Sequence, residues 1–181
     1  MAMAGRIASA SLAVVVAILA WSTPEATAQT GQSDVSLTGI WQDTPEIASG
    51  WSYTYQFFAD GRFVFHYNQM DCESREVSYS GRWAVQGNSL ILSVTQRKVL
   101  VGGHFEPANG SCGTDRELVG ARLRTIEVKP SQLLKLNISV IRLVSTKVYS
   151  FETRRDEARS IPHVCIGPNC YWKLRDDPSK Y

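Results

Sequence analysis

Three histidines are the residues of this sequence best suited to acid–base chemistry at neutral pH. They lie in separate segments, at His66, His104 and His163, and nucleophilic catalysis would require the fold to hold a serine or a thiol beside one of them. His66 alternates with Phe65 and Tyr67, so we expect it to point away from their face and towards solvent. No complete catalytic constellation surrounds any of the three in the sequence.

Carboxylates occur in two close pairs, Asp71 with Glu73 and Asp156 with Glu157. Both pairs lie in segments rich in other charges, which is typical of solvated surfaces. The sequence contains no phosphate-binding glycine loop, dinucleotide fingerprint or His-x-x-x-His helix. We therefore assign no catalytic residue and expect no cofactor. An enzyme that uses a loop carboxylate or His104 is the least favoured alternative.

The four cysteines can form disulfides or ligate a metal. Cys165 and Cys170 bracket an Ile-Gly-Pro-Asn run, a turn that can bring two strand ends within bonding distance. Of the three possible pairings we therefore join these two and, by elimination, Cys72 with Cys112. The metal alternative, His163 with Cys165 and Cys170, lacks the second close ligand pair of structural zinc sites. We assign no metal ligand.

All four cysteines follow an N-terminal segment typical of an export signal. Arg6 gives a positive start, residues 7–21 are uncharged and apolar, and Ala26-Thr27-Ala28 is a small-x-small cleavage pattern. The apolar run of 15 residues is shorter than the roughly 20 that span a membrane, so a retained anchor is the weaker alternative. We expect cleavage after Ala28 and a soluble periplasmic or secreted chain, in an oxidising compartment that favours disulfides.

Composition indicates one globular domain. The chain is 44% hydrophobic and 20% charged, which excludes disordered, collagen-like and coiled-coil proteins. The net charge of +2, with acidic residues between the basic ones, argues against a nucleic-acid or membrane-surface partner. We divide the chain into a signal peptide (1–28), a polar leader (29–36), one domain (37–175) and a polar tail (176–181).

Short alternation of apolar and polar residues predicts strands throughout that domain. The clearest hairpin joins residues 51–58 to 62–67 across Asp60-Gly61, and a second joins 79–85 to 90–94 across Gly87-Asn88. Further strands are predicted at 37–42, 99–105, 118–128, 133–143, 147–153 and 171–175, with loops at 70–78, 107–116 and 154–170. This spacing is typical of an antiparallel sandwich or barrel.

Three motifs follow the order of these strands. They are G-x-W at residues 39–41, F-x-x-D-G-x-F at 57–63, and G-x-W continuing through a Gly-Asn turn to L-x-L at 81–92. Residues 37–94 thereby resemble exported bacterial lipocalin-like (calycin-type) β-barrel proteins. The resemblance implies an all-β fold, a single antiparallel barrel of about eight to ten strands.

The resemblance also implies a contact between the first and last strands. In such barrels a basic side chain packs over the opening tryptophan, so Arg175, or failing that Lys173, is expected to lie across Trp41. A guanidinium stacks on an indole better than an ammonium does, which favours Arg175 unless it belongs to the polar tail. Gly39 and Gly81 each precede a tryptophan by two positions, where a missing side chain makes room for an indole.

We expect a binding protein. The candidate ligand-binding residues are the bulky rings of the early strands: Trp41, Tyr53, Tyr55, Phe57, Phe63, Phe65, Tyr79 and Trp83. An exported barrel can hold one small apolar ligand among such rings, or contact a partner through its open end. If the rings fill the interior, the alternative is favoured: an inhibitor or partner-binding protein that acts through its loops on another exported protein.

Overall fold

The computed structural model describes residues 36–45 and 51–181. The predicted signal peptide (1–28) and the leader as far as residue 35 lie outside the described residues. Strands and irregular segments make up the described ranges, without a helix, so the all-β prediction is confirmed. Within these ranges there is accordingly no helix long and apolar enough to cross a membrane.

Nine antiparallel strands form one sheet. In chain order they are β1 (Gly39–Gln42), β2 (Thr54–Phe57), β3 (Arg62–His66), β4 (Glu76–Gln86), β5 (Ser89–Pro107), β6 (Arg116–Asn137), β7 (Arg142–Ser150), β8 (Arg155–Ile166) and β9 (Asn169–Arg175). Their order across the sheet is β6-β5-β4-β3-β2-β1-β9-β8-β7. The number of strands agrees with the prediction, but the sheet is open, with β6 and β7 as the edges of its described part.

The two ends of the sheet approach each other at one point. Ile138, directly after β6, forms an isolated bridge with Ile166 at the end of β8. The Gly167 amide donates to the Asn137 carbonyl at 2.7 Å, and the Ser139 amide donates to the carbonyl of Cys165 at 2.9 Å. We call this contact, between residues 137–139 and 165–167, the seam.

The first predicted hairpin forms as its turn residues dictate. Gly61 has a φ of +81°, a left-handed conformation that glycine adopts without steric cost. The Asp60 carboxylate accepts a hydrogen bond from the Arg62 amide at 3.0 Å, and the Phe58 amide donates to the carbonyl of Arg62 at 2.9 Å. These local bonds set the register in which Phe57 lies opposite Phe63.

The later strands differ from the prediction in length and position. Segments 90–94 and 99–105 belong to the single strand β5, and β6 contains all of 118–128 together with residues 133–137 of the predicted strand 133–143. The predicted loop at 154–170 was wrong, because residues 155–166 form β8 between β7 and β9. Exposed polar residues on both faces of β8 remove the alternation from its sequence, so its pairing depends on its two neighbours.

One apolar cluster fills the inner face of the sheet. Trp41, Phe57 and Phe63 are at most 1% exposed, and they are joined by buried residues of β5, β8 and β9. Strands from both halves of the sheet therefore bury side chains against each other, which requires the sheet to curl around the cluster. This burial is the main favourable contribution to folding.

The glycines of the two G-x-W motifs make room for backbone rather than for an indole. A Cβ on Gly39, whose φ is +131°, would collide with the carbonyl oxygen of Arg175. A Cβ on Gly81 would collide with the carbonyl of Ser93 in β5. Each glycine thus permits close approach of a neighbouring strand, and the predicted role beside a ring is wrong.

Two disulfides fix the loops. Cys72 is bonded to Cys112, which joins the β3–β4 loop to the turn between β5 and β6 across 40 positions of sequence. Cys165 is bonded to Cys170, its partner in the β8–β9 register, across 5 positions. The longer connection is reinforced by the Gly113 amide, which donates to the Met70 carbonyl at 2.7 Å.

We predict unequal contributions from the two disulfides. On the loop-entropy model, removing the Cys72–Cys112 bond lowers the free energy of unfolding by about 4 kcal/mol, and removing Cys165–Cys170 lowers it by about 2 kcal/mol. Denaturant unfolding of the paired Cys→Ser variants measures both. Equal losses, or a larger loss from the short loop, would contradict this account.

Candidate functional site

The predicted ring residues all belong to the core or pack against it. Trp41, Tyr55, Phe57, Phe63 and Phe65 are members of the buried cluster, and Tyr53, Tyr79 and Trp83 are half-buried side chains in contact with it. The prediction from alternation therefore placed these side chains on the correct face. Their role as ligand-binding residues stays a prediction.

The rings contact one another closely. The ring centroid of Tyr55 lies 4.5 Å from that of Phe65 and 5.1 Å from that of Phe57, and Trp83 packs edge-on against Phe57 at 5.3 Å. These separations are those of directly packed aromatic pairs. The space between the rings is therefore occupied by the rings themselves.

Polar atoms within the ring cluster are satisfied internally. The hydroxyl groups of Tyr55 and Tyr79 share a hydrogen bond of 3.3 Å, and the indole of Trp41 donates to the Leu37 carbonyl at 2.6 Å. Burial raises the pKa of Tyr79 to about 12, so its hydroxyl keeps its proton at neutral pH. A ligand entering here would have to displace these contacts.

An apolar cleft of about 600 Å³ lies outside the ring cluster, between β7, β8 and the end of β9. Val148, Phe151, Ile161 and Leu174 supply its apolar walls, and Lys173 also lines it. The sequence analysis missed this cleft because β8, which supplies Ile161, was predicted to be a loop. Phe151, which is 80% exposed, is the most exposed of its apolar walls.

The carboxylate pairs lie at the surface, as predicted. Asp71 and Glu73 line a shallow polar depression, where Arg116 bonds Glu73 at 2.9 Å and holds the pKa of that carboxyl below its usual range. Glu157 accepts hydrogen bonds from Thr153 at 2.6 Å and from Arg159 at 3.1 Å, which lower its pKa in the same way. Carboxylates stabilised in the ionised form are suited to binding cations and not to donating protons.

The alternative metal site, His163 with Cys165 and Cys170, cannot form while the two cysteines are oxidised. The ligand atoms of His163, Cys165 and Cys170 lie within 4.8 Å of one another. Both sulfur atoms are, however, joined in a disulfide, and metals bind cysteine as the thiolate. His163 instead packs beside Trp172, with ring centroids 4.5 Å apart.

His66 is covered rather than solvated, which corrects the sequence-based expectation. Residues 176–181, which we call the strap, fold back over β2 and β3: the Tyr181 ring stacks on the imidazole at 4.3 Å, and the Gln56 amide donates to the Pro178 carbonyl at 2.7 Å. Gln56 also bonds His66 at 2.9 Å. Burial first, and then the charge of Lys98, lower the pKa of His66 to about 4.

The basic residue over Trp41 is Lys173 and not Arg175. The Lys173 ammonium lies 5.6 Å from the centre of the indole. Lys173 is the register partner of Trp41, whereas Arg175 is exposed and lies opposite Ile40. A shift in register between Ile40 and Trp41 causes the difference, because it moves Arg175 away from the ring.

Large apolar side chains are exposed on a two-stranded extension of the sheet. We call residues 96–107 of β5 and 116–127 of β6, which pair with each other, the ribbon. Val101, Leu123 and Ile126 in the ribbon are 49%, 56% and 47% exposed. Leu100 pairs with Leu123, so the apolar surface crosses both strands.

We predict energetic coupling between Trp41 and Lys173. A cation within about 6 Å of an indole contributes about 0.5 to 2 kcal/mol, depending on how dry the contact is. A double-mutant cycle on unfolding free energy, with Trp41→Leu and Lys173→Met, is expected to give a coupling in this range. The matched cycle with Arg175→Met should give none, and coupling to Arg175 alone would overturn the assignment.

We predict that the strap loosens as the pH falls. The folded-state pKa of His66, about 4, lies below the ordinary value of 6.5. Neutral His66 therefore contributes in full to the stability of the folded strap above pH 6.5, and this contribution is lost as the pH falls towards 4. The loss is less than about 3 kcal/mol, because the imidazole is partly screened by solvent. Hydrogen-exchange protection factors of residues 176–181 measure it. His66→Gln, which cannot titrate, should abolish the pH dependence, and an unchanged profile in that variant would contradict the mechanism.

Comparison with known proteins found no relative of this chain. The chain matches no protein-family model, no curated protein and no solved structure.

Proposed function

We propose that this chain is an exported binding protein that holds a partner protein against the ribbon. The proposal rests on the contrast between the buried ring cluster and the exposed apolar side chains of the ribbon. The rings that were expected to line a ligand site are packed against one another. On the ribbon, by contrast, Val101 and Ile126 are exposed on one face and Leu123 is exposed on the other. Large apolar side chains that the fold leaves exposed on neighbouring strands are typical of protein-interaction sites.

The proposal includes a lipocalin-like barrel as the scaffold. Its support is the seam, where residues 137–139 bond to residues 165–167 while Asn137 also pairs with Ser89 of β5. In a closed barrel every strand has a neighbouring strand on each side. The contact of Lys173 with Trp41 further supports the resemblance.

Export is supported by two independent features. The N-terminal segment has the positive start, apolar run and Ala-x-Ala pattern of a cleaved signal. All four cysteines are oxidised, and disulfides persist in periplasmic and extracellular compartments. The partner is therefore another exported protein.

A second candidate function is the binding of a small apolar ligand in the cleft between β7, β8 and β9. Its volume of about 600 Å³ lies in the range of small-molecule sites. Lys173 offers a cation beside the apolar walls, although Asp176 already bonds it at 2.6 Å. This ion pair and the openness of the cleft to solvent make it the weaker candidate.

Site-specific photo-crosslinking tests the partner-binding function. A benzoylphenylalanine residue placed at Leu123 or Ile126, in the chain exported by its own host, is expected to form one adduct of the same discrete mass from both positions. The matched control is Asn88, an exposed residue in the turn between β4 and β5. The purified partner should then bind Leu123→Ser/Ile126→Ser at least tenfold more weakly, because burial of each side chain contributes about 1 to 2 kcal/mol.

Two outcomes would contradict this function. Adducts that form equally from Asn88, or affinity that is unchanged by the double substitution, would show that the ribbon is not the interface. Saturable quenching of tryptophan fluorescence by a panel of fatty acids, without any adduct, would favour the cleft instead.

A further inference from the structure

The ribbon carries charge as well as apolar surface, in a regular pattern. Cross-strand partners share one face of a β-ribbon, and the register pairs Val99 with Arg124 and Val101 with Arg122. Ile126, two positions after Arg124, lies on the same face. Three successive cross-strand pairs on this face therefore each join an arginine to a β-branched residue, the third pair being Arg97 with Ile126.

The two arginines of β6 are available for an external anion. Neither Arg122 nor Arg124 forms an ion pair within residues 36–45 and 51–181, and both are exposed. Arg97, at the base of the same face, is instead occupied by Glu76 at 3.2 Å and Gln132 at 2.6 Å. The Cα atoms of alternate residues in a strand lie about 7 Å apart, so the two free guanidinium groups match the spacing of alternate side chains in another strand.

The backbone beside these arginines has room for another strand. β6 is an edge of the described sheet, with β5 as its only strand neighbour along the ribbon. Its straight part extends from Ala121 to Glu127, between the bend at Gly120, whose φ is +73°, and the interruption in pairing that follows Glu127. Extended peptides add to such edges through main-chain hydrogen bonds.

From these observations we infer that the Ala121–Glu127 edge of β6 binds an extended segment of the partner in which acidic residues alternate with apolar ones. The inference rests on the proposed function and specifies the segment that the ribbon recognises. The acidic side chains lie on the face of Arg122 and Arg124, and the apolar side chains lie on the opposite face, beside Leu123. Guanidinium groups bind carboxylates bidentately, which favours this occupant.

Arginines on an edge strand also have a purely protective role, because charge discourages unwanted strand pairing. The two roles differ in what they predict for an acidic strand. A protective edge rejects strands regardless of their charge pattern, whereas a recognition edge binds the complementary one.

The test uses the full mature chain with both disulfides intact and a labelled, blocked eight-residue peptide in which glutamate alternates with valine. Fluorescence anisotropy is expected to show saturable binding that weakens as salt is raised, because the charges are exposed. Arg122→Gln/Arg124→Gln should weaken the binding about five- to thirtyfold, the effect of losing two cross-strand ion pairs. The matched control, Arg154→Gln/Arg155→Gln, removes two exposed arginines elsewhere and should change the affinity less than about twofold.

Two further peptides distinguish binding by strand addition from non-specific electrostatic attraction. A version with lysine in place of glutamate should not bind. A glutamate version with N-methyl groups on its four central residues keeps its charge but cannot donate backbone hydrogen bonds from those residues, and should bind at least tenfold more weakly.

The inference is overturned if the glutamate peptide binds no better than the lysine peptide, if N-methylation has no effect, or if the arginine substitutions have none. Arginine-dependent binding to phosphatidylglycerol vesicles without peptide binding would likewise overturn it, in favour of a lipid surface. Failure of the peptide test while crosslinks still form at Leu123 and Ile126 would reject this segment chemistry and leave the proposed function standing. Loss of the crosslinks would reject the function itself.

Discussion

The pairing of β1 with β9 is the contact on which the described sheet depends, because it joins strands β2 to β6 to strands β7 and β8. Three residues of β1 pair with β9, and all four residues of β1 are buried. Gly39 allows the backbone of Arg175 to approach, Trp41 enters the core, and Lys173 covers the indole. A side chain at position 39 would collide with the Arg175 carbonyl and push the two halves of the sheet apart.

On the proposed function, a core that is filled by its own rings leaves partner binding to the surface. Tyr55 and Phe57 lie between neighbouring rings, and opening a space there would sacrifice aromatic contacts and buried area that stabilise the fold. The ribbon is less constrained: within the described residues no further strand pairs with it beyond Val99, and its main attachment there is to the β3–β4 loop, where the Leu100 amide donates to the Arg75 carbonyl and the Leu118 amide to the Cys72 carbonyl. On the proposed function, core packing and partner binding therefore use separate faces and strands of the same sheet.

Local chemistry made the early hairpins and the inward-facing rings predictable from sequence, since the Asp60-Gly61 turn and strict alternation act within a few residues. Long-range features were not predictable in this way. The choice of Lys173 over Arg175 depends on a register shift between Ile40 and Trp41, which no local pattern encodes. The covering of His66 by the strap, the existence of β8 and the cleft depend likewise on segments that meet only after folding.

The bond between Cys72 and Cys112 gives the ribbon a dependence on compartment. It holds the turn of the ribbon to the β3–β4 loop, and Arg116 with Arg75 packs on the Phe105 ring beside that attachment. In a reduced chain the turn would lose this covalent attachment and be held only by hydrogen bonds and an ion pair, so a partner would have to bear more of the entropy of ordering it. On the proposed function, newly made protein in a reducing cytosol would therefore be a poorer binder. Oxidation after the proposed export would make the ribbon more rigid, so that the surface would bind its partner only in the oxidising compartment.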